Sequence, residues 1–148
     1  MRTLLLTTHL IGVAAWLGAN LTQLFLARFY AQQNDDSRLA WLRATTLMAR
    51  RYYNAAGTLI GVTGVSLVLH GKWGWDSGFI WVGVAVLVIG GVVGVAHFVP
   101  TGERQIEAIE RNDRTLLARL DRRVISVAVI DTALVVLAML AMVDKWGR

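Results

Sequence analysis

Apolar positions along this chain fall into four long blocks separated by polar segments, the first and third of them arginine-rich. A membrane-crossing helix needs about 20 mostly apolar residues. Four segments meet that requirement: about Leu4 to Ala27, Tyr53 to His70, Phe79 to Val99, and Val124 to Val143. The first block continues through "LTQLFLARFY". That is longer than the roughly 7–15 apolar residues of a secretory leader, so it reads as a retained span. Between the blocks, "DDSRLAWLRATTLMARRYY" offers Asp36 or Ser37 as a helix cap, with Leu39, Leu42 and Leu47 at near-helical spacing. "NDRTLLARLDRR" offers Asp113 as a cap and Leu116, Leu117 and Leu120 as one face. The second and fourth spans are therefore expected to continue as helices beyond the bilayer, and "TGERQIEAIER" to add a short surface helix. The expected fold is all-α: one domain, residues 1–148, forming a four-transmembrane-helix bundle with helical extensions.

Composition supports this reading. Hydrophobic residues make up 55% of the chain and charged residues 17%, against about 25% charged in a soluble domain. The net charge of +5 lies beside apolar runs. It fits the positive-inside rule of membrane topology better than nucleic-acid binding, which is not expected. Arg28, Arg38, Arg43, Arg50 and Arg51 flank the first loop, and Arg104, Arg111, Arg114, Arg119, Arg122 and Arg123 precede the fourth span. Arg2, Lys72, Lys145 and Arg148 fall on the other side, with Trp73, Trp75, Trp81 and Trp146 as an aromatic belt. The expected placement is a bacterial-type cytoplasmic (inner) membrane, with both long loops in the cytoplasm and both termini outside. With no cysteine, disulfides and thiolate metal sites are excluded.

Small residues let membrane helices approach closely. Gly57, Gly61 and Gly64 form a stripe on the second span, and Gly90 with Gly94 a GxxxG pair on the third, with Gly83 two turns earlier. The expectation is that the middle helices pack through these faces. A homodimer seam is the alternative, and the basic loops are a candidate docking face for a membrane-complex partner.

The polar positions carry the candidate chemistry. At 100° per residue, His9, Gly12, Trp16, Asn20 and Gln23 fall within about 60° of one another, forming one polar stripe on the first span. Such a stripe is expected to face the bundle interior, because unpaired polar groups are expensive in lipid. Asp131, in "SVAVIDTALV", lies seven residues past Val124 and so about 10 Å inside the boundary. A carboxyl group there is either protonated or paired. By depth the sequence offers two polar layers, His9 with His70 toward the termini and Asn20 with Asp131 further in. His97, before Pro100, is expected to be a helix C-terminal dipole partner. Dinucleotide, phosphate-loop and zinc-protease motifs are missing.

"HLIGVAAW" resembles the first-helix motif H-x-I-x-V-x-x-W of the HemJ-type protoporphyrinogen oxidases, and the corresponding segment of the CopD copper-resistance membrane proteins. "YYNAAGTLIGVTGVSLVLHGKWGW" resembles their second helix. "FVPTGERQIEAI" looks most like a related branch of predicted integral membrane proteins of unknown function. The resemblance implies a four-helix fold and haem b, with His9 as one axial ligand. His70 is the best candidate for the other, and Trp16 would pack near the macrocycle. The lysine that such oxidases use early in the third helix would fall on or near Phe79, the nearest lysine being Lys72. Enzymatic oxidation is therefore not assigned. The leading expectation is a haem b protein for electron transfer or porphyrin handling. The alternatives are a cofactor-free proton or small-solute site built from Asp131, Asn20 and Gln23, or an accessory subunit of a membrane complex.

Overall fold

The computed structural model describes residues 1–71 and 73–147. Lys72 and Arg148, two of the charges used to orient the chain, lie outside the described residues. Six α-helices follow in order: α1 (Arg2–Ala31), α2 (Asp35–Leu47), α3 (Tyr53–Leu69), α4 (Gly78–Val93), α5 (Val99–Glu110) and α6 (Arg114–Asp144). Short π-helical segments, Met48–Tyr52 and Gly94–Phe98, join α2 to α3 and α4 to α5 without interrupting the rod. The result is four continuous helices, each long and apolar enough to cross a membrane: Arg2–Ala31, Asp35–Leu69, Gly78–Glu110 and Arg114–Asp144. A 33-residue helix is about 50 Å long against a hydrocarbon core of about 30 Å, so the rods project well beyond one face.

The projecting parts follow the sequence reading with two corrections. Asp113 caps α6 as expected, its carboxylate accepting from Leu116 N–H at 2.9 Å. The cap of α2 is Asn34, whose side chain accepts from Ser37 N–H at 2.9 Å, and not Asp36 or Ser37. The helix begins one residue after Asn34, so both aspartates fall in its first turn, where they suit the helix dipole. The segment after the third span is not a separate surface helix. It continues the span through the second π turn, which ends at Phe98, two residues before Pro100. Proline offers no N–H to the carbonyl of Ala96 and crowds it; a widened turn absorbs both effects without stopping the helix. His97 consequently sits mid-rod and not at a helix C-terminus. Its Nε2 is buried without a hydrogen-bond partner among the described residues.

Core and surface divide as a bilayer demands. Leu10, Leu21, Val65, Val88, Val92, Ile130 and Leu140 point outward and are exposed. Within the bundle, Trp16, Ala56 and Val135 form a core with Tyr53, Ile60 and Leu87. A second core of Leu42, Ala108, Ile109 and Leu117 closes the projecting end, where α2, α5 and α6 meet as in a soluble protein. That end also carries the ion pairs Arg38–Asp121, Arg50–Glu103 and Arg114–Asp35. The hydrogen-bonded Arg114 guanidinium holds the exposed Asp35 carboxyl below the usual carboxylate range.

The glycine stripes face inward: Gly57 and Gly61 do bring the second span against Leu87 of the third, but Gly57, Gly64 and Gly90 also receive side chains of α1. A Cβ at Gly57 would stand 3.0 Å from the Trp16 ring, one at Gly61 3.4 Å from Leu87, and one at Gly64 3.3 Å from His9 Cε1. Gly90 faces Trp16 at 2.9 Å, Gly83 meets Met142, and a Cβ at Gly94 would meet nothing within 4 Å. The reason is the bulk of Trp16: α1 packs against α3 and α6, and its indole reaches between them to lie against Gly57 of α3 and Gly90 of α4. Gly57→Leu is expected to destabilise the protein by about 1–3 kcal/mol through overpacking. Gly18→Leu, at a position with no neighbour within 4 Å, should stay within about 0.5 kcal/mol of the native chain. Unfolding in mixed micelles measures both.

Candidate functional site: a polar chain at the base of an intramembrane cleft

One face of α1 sets the site. Trp16, Asn20, Gln23, Leu24, Ala27 and Arg28 recur at helical spacing and line a cleft of about 190 Å³. The opposite wall is α6, through Asp121, Val124, Ile125, Ala128 and Asp131. Ten residues separate the two aspartates, so the cleft runs about 15 Å along the bundle. Its third and fourth walls are the helices that carry the π segments, with Tyr53 and Asn54 on one, and Gly90, Gly91, Gly94 and Phe98 on the other. The glycines here leave open space: Gly91 and Gly94 have no neighbour within 4 Å.

At the closed end the polar groups form a directed chain. Gln23 Nε2 donates to Tyr53 Oη at 3.1 Å. Tyr53 O–H donates to Asn20 Oδ1 at 2.7 Å. Asn20 Nδ2 donates to Asp131 Oδ2 at 2.8 Å. Each link points toward the carboxylate, and donors polarised in sequence strengthen one another where the dielectric is low. Asn20 and Asp131 are each more than nine-tenths buried. Among the described residues no lysine, arginine or histidine forms an ion pair with Asp131. Its second oxygen, Oδ1, lies beside Gly90. At the open end Asp121 is held by Arg38 and by Gln105 Nε2, the latter at 2.7 Å.

The second expected layer is built differently. His9 is buried against α3, with Nδ1 at 3.0 Å from Thr63 Oγ1 and 3.2 Å from the Ile60 carbonyl. Thr63 donates its own proton to the Leu59 carbonyl, so Nδ1 carries a hydrogen and Nε2 is the basic nitrogen. That is the arrangement a metal-ligating histidine uses. His70 does not join it. His70 lies two turns past Thr63, about 10 Å along the axis, is exposed, and turns Nδ1 onto the Ser66 carbonyl of its own helix at 2.9 Å. His9 is not part of the cleft lining, and its ring packs closely against Gly64, where a Cβ would stand 3.3 Å from Cε1. No group of three or more histidine or acidic side chains able to hold a metal occurs among the described residues. These surroundings offer a haem one ligand and no pocket, so the fit is incomplete.

The structure thus brings together Asp131, Asn20 and Gln23, as the polar-stripe reading expected, and separates His9 from His70. Trp16 stands between the two layers. Its ring packs edge-on to Tyr53 with centroids 5.4 Å apart, and its Nε1 is buried without a partner among the described residues. Tyr53, the link between Gln23 and Asn20, was not legible as a site residue: at the edge of an apolar block it reads as an interfacial aromatic.

No family model, curated protein or solved structure matches the chain. The fold itself defines a four-helix bundle of the membrane-spanning type, with a carboxylate at the base of an internal cleft. A double-mutant cycle of Asn20→Ala and Asp131→Ala should give a favourable coupling of roughly 0.6–2 kcal/mol, the range of buried hydrogen bonds between membrane helices. A coupling of zero rejects the contact.

Proposed function

We propose that this protein binds a proton or a small solute at Asp131, reached through the cleft from the end that carries the helical extensions. The observation that supports this most is the carboxylate itself. It is buried at membrane depth, receives a one-way chain of hydrogen bonds, and has a free oxygen beside a passage about 15 Å long. Intramembrane acids with that exposure to a water-accessible path commonly mark proton or solute routes. The distribution of arginine supports placing the open end in the cytoplasm of a bacterial-type inner membrane, with both termini outside.

Dicyclohexylcarbodiimide, a lipid-soluble reagent for protonated carboxyl groups, tests the site in the purified full chain. Asp131 is expected to be labelled more than the solvated acids of the loops. Labelling should vanish in Asp131→Asn. An Asp131 that stays unlabelled across mildly acid to mildly alkaline pH overturns the reading.

A second reading, haem b on His9, is favoured by the orientation of Nδ1 toward Thr63. It needs a second ligand other than His70 and an opening between α1 and α3. An absorption spectrum of protein purified from haem-supplied cells decides it. A Soret band lost in His9→Ala supports the haem, and a colourless protein removes it.

A further inference from the structure

The cleft has more features than a proton alone requires. Four aromatic side chains, Trp16, Trp41, Tyr53 and Phe98, line it, and most of its wall is apolar. Its volume of about 190 Å³ exceeds that of an engineered apolar cavity of about 150 Å³ that accepts benzene. At its base sits a carboxylate that accepts a hydrogen bond from Asn20 on one oxygen. No basic side chain among the described residues pairs with it. The remaining charged or titratable groups along the walls are Tyr53, Arg28, and the Arg38–Asp121 pair. Arg38 is neutralised by Asp121. Arg28 stands eight residues from Asn20, about 12 Å toward the rim.

A buried anion without a counter-charge takes up a cation or a proton. The lining decides which kind of cation. A hard metal ion requires six or more oxygen ligands at close range. Here one free carboxylate oxygen faces glycine and aromatic surface. An organic ammonium needs one carboxylate, apolar walls and aromatic rings, because the ring quadrupole attracts a cation that carries few waters. The Trp16 indole borders Asp131 Oδ1 at Gly90, the Tyr53 phenol packs edge-on to that indole, and all three side chains line the cleft.

We propose that the cleft seats a small organic monocation of the alkylammonium class, held by Asp131 and flanked by Trp16 and Tyr53, in competition with a proton. This rests on the reading of Asp131 as an accessible site and names the solute class that it takes.

Tetramethylammonium, which is about the size of benzene, is the probe. Calorimetric titration of the detergent-purified full chain is expected to show saturable one-to-one binding. Because one proton competes for the same carboxylate, binding should weaken by up to tenfold per pH unit toward acid. It should be lost in Asp131→Asn. Trp16→Leu should weaken it roughly five- to thirty-fold, the equivalent of about 1–2 kcal/mol of cation–π attraction. Gly94→Leu fills the cleft where a Cβ meets nothing; it should abolish binding with the helical circular dichroism intact, and Gly91→Leu serves if Gly94→Leu does not fold. Binding that survives both Asp131→Asn and cleft filling overturns the proposal, as does sodium binding in place of tetramethylammonium. Carbodiimide labelling of Asp131 without any tetramethylammonium binding overturns the cation and leaves the proton site standing. Loss of both removes both.

Discussion

In a bilayer no water is available to satisfy a polar group that turns toward lipid, so each one must find its partner inside the bundle. In this protein that constraint acts through the hydrogen bonds from Gln23 to Tyr53, Tyr53 to Asn20 and Asn20 to Asp131. They tie α1 to both α3 and α6. Rotating α1 by even half a turn would expose Asn20 and Gln23 to hydrocarbon and leave Asp131 unpaired. The rotation of three helices is therefore set by one polar contact set, and the packing of Trp16 follows from it. With Asn20 turned inward, Trp16, one turn earlier, points the same way and must be accommodated between Gly57 and Gly90.

Glycine plays two opposite parts in the same bundle. On α3 it allows close approach, as where Gly57 receives Trp16 and Gly64 receives His9. On the far half of the third rod it leaves volume, because Gly91 and Gly94 have no partner filling the space. The cleft begins where the first role gives way to the second. Both π turns lie along the same stretch, and a widened helix turn moves side chains out of the close-packed register that would otherwise fill the gap. Closed packing toward the termini and an opening toward the extensions thus arise from the same four rods.

The two polar layers differ in what they leave free. At His9 the donor is satisfied and a basic nitrogen remains. At Asp131 one carboxylate oxygen is satisfied and the other remains. The first lies against a packed helix face, and the second borders open volume. Chemistry with a small diffusible partner is therefore supported at the second layer, with Trp16 separating the two.

Much of the architecture was legible in the sequence because lipid imposes a length and a polarity that no other environment mimics. The four spans, the inward polar stripe of α1, the depth match of Asn20 with Asp131 and the Asp113 cap all follow from helical periodicity and rise. Three features required the tertiary structure. Residues spaced along one helix do not reveal which neighbour they meet, so the glycine stripes could not be assigned to Trp16, His9 and Met142, nor His70 separated from His9. The role of Tyr53 depends on a neighbour 33 positions away in the chain. The cleft is a property of four walls at once: it exists because small residues on one helix oppose polar ones on two others, and that is decided only by packing.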